Sequence, residues 1–347
     1  MQAANTDLKL VYEGSVKRVF APSNDAQHLW FQFTDDYSVF DWGKMPDTLH
    51  NKGLALTLLG AFFFEQLEKR GIRTHFKRLV TEDGIKYLEV LKADVFRPQQ
   101  ISVFGQAVYA YPIIPASSRT RLIPLEVVFR FGLPAGSSLR ARLEKDPTYL
   151  RQLGLEEMPG DDGKFPRPVI EFFTKLEPKD RLLSVSEALS ISGLRPEQFH
   201  RLCQQTVTAA GAVKDIFEAK GIELWDGKFE FIIDADEILL ADSIGPDELR
   251  LLYKGVHLSK EIIREHYRDT AWEKALKKAQ DIAKQKGRED WKEICINDLK
   301  QQPQPLPAEF KDKIDHLYGA LTNHVCGEQL LASEPDLESL VESLSRK

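Results

Sequence analysis

The chain has 347 residues, 42% of them hydrophobic and 29% charged, the balance of a globular protein long enough for two domains or one large domain with additions. A formal net charge of −6 argues against a nucleic-acid binder working through a strongly basic surface. Neither a basic leader with an apolar stretch nor a run of about 18 apolar residues is present, so we expect no signal peptide and no membrane span. The widely spaced Cys203, Cys295 and Cys326 make no CxxC pair and no even disulfide framework, which fits a reducing cytoplasmic setting.

Residues 9–20, KLVYEGSVKRVF, predict two short strands around a turn at Glu13-Gly14-Ser15, and 28–34 a third strand. The polar stretch from Asp35 to Gly53, which carries Pro46, predicts an ordered loop. Residues 54–70 have helical spacing and stop at Gly71. Strands are expected at 75–81, 86–92 and 101–111. Pro112, Pro115 and Ser117-Ser118 then mark a seam, dividing a strand-rich antiparallel-sheet domain (1–122) from a mixed α/β domain (123–347) with a helical tail. Residues 125–131 predict a strand. The stretch 144–167 is rich in Pro, Gly and Asp and reads as a surface excursion; its Asp161-Asp162-Gly163 lacks the spacing of a calcium loop. Helices are expected at 184–192 and 195–219, strands at 222–225, 228–233 and 238–241, and helices again at 259–286 and 308–321. QQPQPLP (301–307) must connect the last two without helix, because proline removes donors and restricts its neighbours. The expected fold class is α+β.

The segment GIELWDGKFEFIIDADEILLADSIGPDELR (221–250) carries the most chemistry. Strand side chains alternate faces. If one strand runs through Gly227, then Asp226, Lys228 and Glu230 share a face, while Phe229 and Phe231 seek burial on the other. The returning apolar strand delivers Asp242 at its end. Mg²⁺ prefers oxygen ligands, commonly one or two carboxylates together with nucleotide phosphates, and Glu230 with Asp242 could supply that pair. Lys228 could neutralise an acid or a phosphate. The same spacing is equally compatible with a solvated strand face carrying a salt bridge. The eight histidines show no metal-ligand spacing, and no partner for His28 is evident.

D-x-K-x-E-F, an apolar strand, an Asp and then P-D-x-x-R closely resembles the signature of the phosphoribosylaminoimidazole-succinocarboxamide (SAICAR) synthetases, through Asp226, Lys228, Glu230, Phe231, Asp242, Pro246, Asp247 and Arg250. VYEGSVKRVF (11–20) resembles the family's opening strand-turn-strand over ATP. Asp36, Ser38 and Asp41 match its D-x-S-x-x-D loop, Lys52-Gly53 its K-G, and GIRTHF (71–76) the following turn and strand. PLEVVFRF and the Ala-Gly-Ser after it (124–137) match its P-x-E-x-x-x-R strand and Gly-Ser loop. The resemblance implies a strand-rich N-terminal ATP-lid domain over an ATP-grasp- or kinase-like cleft. It implies joining of a carboxylated aminoimidazole ribotide to aspartate at the expense of ATP. By the same resemblance, Gly14, Ser15 and Lys17 contact ATP, with Glu230 and Asp242 on the nucleotide's Mg²⁺. Arg130, Ser137 and Arg250 hold the ribotide phosphate. Asp41, Lys175 and Asp180 lie near the substrates. Lys228 sits at the reacting carboxylate, with Asp226 orienting it or the loop. The implied partners are small molecules, with no nucleic acid or membrane; a homo-oligomer is allowed.

Four departures keep other readings open. Ser15 stands where the family has Lys, Ser243 where it has Glu, and Ile232 where it has Gly, and residues 92–123 are longer than the family's link. A paralogous amide ligase with another carboxylate or amine fits the same residues. So does a nucleotide-binding regulator without catalysis.

Overall fold

The computed structural model describes residues 6–134, 136–160, 162–332 and 334–345; Ala135 and Asp161, like the first five residues of the expected leader-free N-terminus, lie outside them. Among the described residues the chain is α+β, as expected. Strands β1 (Leu8–Glu13), β2 (Lys17–Pro22) and β3 (His28–Phe33) lead to helix α1 (Lys52–Lys69), followed by β4 (Phe76–Glu82) and β5 (Ile85–Leu91). These strands form an antiparallel sheet of order β1-β2-β3-β5-β4. Helix α1 begins where the Gly53 amide donates to Asp35 Oδ1 at 2.9 Å. A Cβ at Gly53 would stand 2.4 Å from the Phe33 carbonyl oxygen, so the Lys-Gly pair is where helix and sheet backbones touch.

Residues 99–110 are two strands, not the expected one. β6 (Gln99–Val103) and β7 (Gln106–Ala110) pair only with each other, turning at Phe104 and Gly105, both with positive φ. Periodicity could not show this, because Phe104 looks like a strand residue but occupies the turn.

The second sheet contains β9 (Leu125–Gly132), β10 (Lys164–Thr174), β11 (Leu182–Leu183), β12 (Glu223–Asp234), β14 (Leu249–Tyr253) and β15 (Val256–His257) in the order β11-β10-β9-β12-β14-β15. β8 (Thr120–Leu122) and β13 (Glu237–Ala241) pair with the far half of β12. The expected excursion at 144–167 is only partly so. Residues Ser138–Lys145 (α2) and Tyr149–Gln152 (α3) are helical, and β10 starts inside the proline-containing stretch. Its ladder to β9 breaks between Lys164 and Val169, where Pro166 and Pro168 have no N–H to offer.

Helices α4 (Val185–Ser192) and α5 (Pro196–Glu218) follow β11, and α5 lays Phe199, Leu202, Val213 and Phe217 on the apolar face of the second sheet. The expected helix at 259–286 is divided into α6 (Glu261–Tyr267) and α7 (Ala271–Gln285). Asp269 has φ 63°, which no α-helix accommodates, and Thr270 caps the new start by accepting from the Glu273 amide. A short turn α8 (Trp291–Glu293) runs into a π-helical stretch Ile294–Asp298, then come α9 (Ala308–Cys326) and α10 (Leu337–Ser345). Among the described residues no helix is long and apolar enough to cross a membrane.

The expected strands at 222–225 and 228–233 are one strand. β12 passes through Gly227 without interruption because a side chain there has no room: a Cβ would lie 2.5 Å from Leu249 Cδ2 and 2.7 Å from Phe129 Cζ. Phe129 and Phe229 stack beside it with centroids 4.6 Å apart. Gly227→Ala should therefore lower unfolding free energy by about 1–3 kcal/mol, the usual penalty for overpacking a closed core, read from the midpoint of urea denaturation.

Candidate active site

Strand register assembles the site. Across the second sheet Asp226 lies opposite Arg130 of β9 and opposite Arg250 of β14, and Lys228 lies opposite Val128. One face of the sheet therefore carries Glu171 from β10, Glu126 and Arg130 from β9, and Asp226, Lys228 and Glu230 from β12. The other face carries Val127, Phe129, Phe229 and Phe231, each at most 1% exposed. Charged groups this close to a core must be paired, and they are.

Two groups of pairs result. At one end Arg130, buried, donates from Nε to Glu171 at 2.6 Å and from a terminal nitrogen to Asp226 at 2.9 Å. Ser137 and Ser138 hydroxyls stand 3.4 Å from the same guanidinium, and Ser137 also accepts from the Leu139 amide as the N-cap of α2. Arg250 Nε approaches Asp226 to 3.5 Å. Two guanidinium groups, hydroxyls and a helix start thus meet around one carboxylate, the donor set that suits a phosphate. Arg142 and Tyr149 hold the other side of Glu171, at 2.5 and 2.9 Å. The expectation that Asp226 orients Lys228 is corrected here. Its register places it between the arginines, and Lys228 bonds Glu126 instead, at 2.6 Å.

At the other end Lys175 donates to Glu230 at 2.5 Å and to Glu126 at 3.4 Å, while Lys17 from β2 of the first sheet pairs with Asp242 and lies 4.4 Å over the Phe31 ring. Glu230 pairs across β12 with Ala241, the neighbour of Asp242. Burial, then the adjacent Asp242 charge, raises the Glu230 carboxyl. Burial works against ionised Asp242 too, but Lys17, Lys175 and Lys228 outweigh it and hold that carboxyl well below the usual range. Two carboxylates compete for positive charge in one place, which is the situation a divalent cation relieves. Glu230 and Asp242 fit Mg²⁺ in a site completed by phosphates.

The sheets are joined at this point. The His75 amide donates to the Leu240 carbonyl at 2.8 Å and the Leu240 amide to the Arg73 carbonyl at 3.0 Å, so β13 and Asp242 are anchored to the first sheet. The turn before Lys17 is closed by the Gly14 amide on the Lys17 carbonyl, 2.8 Å; Ser15 is half-buried beside it. Asp180 and Asp41 are exposed, with Asp41 in a left-handed conformation at φ 59°. Asp180 lies within charge range of Glu126, Lys228, Lys175 and Asp41.

Sequence reasoning gave no role to several members. Glu126 holds both Lys175 and Lys228, and Glu171 locks Arg130; each is the lone acid of its strand, which was the available signal. Lys52, fully buried, donates to Asp247 at 2.8 Å, and Tyr318 donates to the other oxygen at 2.8 Å. Glu248 keeps one buried carboxylate oxygen without a protein partner among the described residues; burial and the Asp247 charge raise it to about 7. Away from this site, His28 has a partner after all, Asp25 at 2.7 Å. Asp25, His28 and Glu89 lie close enough to share an ion, but Glu89 is taken by Arg78.

Residues 10–279 match the family described as SAICAR synthetase. A putative phosphoribosylaminoimidazole-succinocarboxamide synthase from Archaeoglobus fulgidus is 35% identical, over 90% of this chain and 92% of its own. The synthase from Thermoplasma acidophilum is 30% identical over 93% of this chain and all of its own. The chain belongs to the SAICAR synthetase family. In fold it is similar to the Saccharomyces cerevisiae SAICAR synthase complexed with SAICAR (TM-score 0.63, 23% identity, 94% of this chain and 99% of that one). It is also similar to a SAICAR synthetase in complex with ADP (TM-score 0.55, 26% identity, 86% of this chain and 100% of that one). The SAICAR synthetases are carbon–nitrogen ligases of purine biosynthesis, and this member is an ATP-dependent ligase.

Of the departures from the family pattern, Ser243 sits with its hydroxyl 3.3 Å from Asp242 Oδ2. Ile232 lies two residues beyond Glu230 on the same face of β12, buried with Leu239 and Ala241. The site's electrostatics carry one measurable consequence. His75 is 4% exposed, packed against Phe31 and Phe64. Burial, the largest effect, lowers its imidazole from 6.5 to about 3. The unfolded chain then binds a proton that the folded chain refuses, so stability is lost as pH falls from 6.5 toward 3. In His75→Phe the slope of unfolding free energy against pH between 4 and 6 should flatten by up to about 1.4 kcal/mol per pH unit, measured by urea titrations at stepped pH.

Proposed function

We propose that the chain joins a carboxylated aminoimidazole ribotide to L-aspartate, forming SAICAR, ADP and phosphate. The meeting of Glu230, Asp242 and Lys17 beside the Arg130–Asp226–Arg250 group carries this reading, because it supplies a triphosphate end and a monophosphate end on one sheet face. The first sheet, within residues 1–122, acts as the lid over ATP, and residues 123–347 provide the floor. The substrate carboxylate attacks the γ-phosphorus and the bond to ADP breaks, leaving an acyl phosphate. The amine nitrogen then attacks the acyl carbon, the C–O bond to phosphate breaks, and the amine gives up a proton. Phosphoryl transfer of this kind asks the protein chiefly for positioning and charge stabilisation.

Lys17 leaves Asp242 to grip ATP phosphates. Glu230 and Asp242 would hold Mg²⁺, which would neutralise charge on those phosphates. Arg130, Ser137 and Arg250 seat the ribotide phosphate, with Asp226 keeping the two guanidinium groups in place. Lys228, steered by Glu126, meets the reacting carboxylate. Lys175, Asp180 and Asp41 receive the amino acid. Gly14 and Ser15 bring the turn over the nucleotide. A second reading, an amide ligase with another acid or amine, is favoured by Ile232 and the residue 92–123 segment; Ser15 and Ser243 favour a nucleotide-binding regulator without catalysis.

Incubation with ATP, Mg²⁺, the ribotide and aspartate should yield ADP and the amide in equal amounts. ADP without that amide would favour the second reading, and nucleotide binding without any product would favour a regulator. Glu230→Gln should lose at least a hundredfold in kcat, as loss of a preorganised charge in phosphoryl or acyl transfer does, with unchanged circular dichroism. Arg250→Ala should raise KM for the ribotide roughly ten- to a hundredfold while KM for ATP stays within about twofold, the size expected for a lost charge-assisted contact.

A further inference from the structure

The β6–β7 hairpin leaves the body between β5 and β8 and is exposed on both faces. Its base is closed by reciprocal amide–carbonyl bonds: Asp94 donates to Thr120 and Leu122 donates to Asp94, both at 2.9 Å. Two tyrosines on the returning arm are only half-exposed. Tyr111 donates from its hydroxyl to Glu177 Oε1 at 3.0 Å. Tyr109 lies within electrostatic range of Glu177 and of Glu289, so the hairpin stands between the loop after β10 and the segment that follows α7.

Glu177 is the buried centre of the loop 175–181, with its side chain 3% exposed. It accepts from Tyr111 on one side and, at 3.5 Å, from Arg181 on the other. The loop ends are pinned to each other: the Thr174 amide donates to the Arg181 carbonyl at 3.0 Å and the Arg181 amide to Thr174 Oγ1 at 2.9 Å. Between those ends the same loop carries Lys175, which bonds Glu230, and Asp180, within charge range of Lys175, Lys228 and Glu126. The phenol at 3.0 Å is the closest partner of this buried carboxylate; the other, Arg181 of the same loop, is half-exposed and stands at 3.5 Å. Without it the Glu177 charge must find water, and water is reached by moving the loop.

We infer that Tyr111 is a positioning residue for the amine co-substrate, acting through Glu177 on the loop that presents Lys175 and Asp180. This rests on the proposed reading in which those two residues receive the amine. The hairpin is thereby part of the ligase's substrate selection: its returning arm fixes the distance between Asp180, which suits an ammonium group, and Lys175, which suits a carboxylate.

The test uses the full chain and two readouts. Hydrogen exchange in Tyr111→Phe should rise at least tenfold at residues 175–181 and stay unchanged in β12; unchanged exchange in the loop overturns the brace whatever the enzyme's substrates are. Steady-state kinetics, with whichever amine the wild type accepts, should show KM for the amine up roughly tenfold, the size of one lost hydrogen bond to a buried carboxylate. The KM values for ATP and the ribotide should stay within about twofold. Glu177→Gln should behave alike, and Tyr111→Phe/Glu177→Gln should be no worse than Glu177→Gln alone. A uniform change in all three KM values, or additive effects in the double variant, would overturn the positioning role. Raised exchange with an unmoved amine KM would leave the brace but remove Lys175 and Asp180 from amine recognition.

Discussion

Everything in this molecule leans on β12 remaining a single straight strand through Gly227. Hydrogen atoms alone fit between Phe129 and Leu249 there, and the strand's alternation is therefore unbroken from Asp226 to Glu230. That alternation sends three ionisable side chains to one face and two phenylalanines to the other. The aromatic face packs under α5, which supplies the burial that holds the sheet. The charged face, deprived of bulk water by the same packing, is forced into specific pairs. The stability of the core and the charge pattern of the site are two consequences of one strand.

The pairing is economical in residue types and separates functions by register. Asp226 meets arginines, and Glu126 and Glu230 meet lysines. Guanidinium groups in a fixed fork are suited to a phosphate monoester, while ammonium groups on flexible stems suit a reacting carboxylate or a polyphosphate that changes during the reaction. Each of these cations already has a carboxylate partner. Tension remains between Glu230 and Asp242. Burial and the Asp242 charge push the Glu230 carboxyl up, while Lys17, Lys175 and Lys228 hold Asp242 down against its own burial, and this is the place where an added divalent charge has most to relieve.

The loops around the face are tied down rather than left free. Asp242 is anchored to the first sheet through the Leu240 backbone, Asp247 is fixed by Lys52 of α1 and Tyr318 of α9, and Glu177 by Tyr111 of the hairpin arm. The first two ties join residues of the sheets and of helices α1 and α9. The third comes from the 92–123 segment, in which this chain departs from the pattern its other motifs follow.

Much of the candidate site was legible because short-range rules govern it. A period of two along 226–230, an acid after an apolar returning strand, and the motif order over 11–326 pointed to Lys228, Glu230, Asp242, Arg130 and Arg250 as candidates. Local propensity also placed α1, α5 and β13 within a residue or two. What it could not provide was who pairs with whom. The neighbour of β12 on either side, β9 and β14, is separated from it by about a hundred residues or by a loop, and no local signal specifies which register they adopt. So Asp226, expected to orient Lys228 or the loop, is placed by cross-strand geometry beside Arg130 and Arg250. Helix 259–286 looked continuous because Asp269 reveals its positive φ only once the chain must turn onto the core. The sequence by itself determined which side chains share a face, since that follows from bond geometry within one strand. Only the tertiary structure decided their partners, since long-range strand pairing and burial set the distances over which charges act.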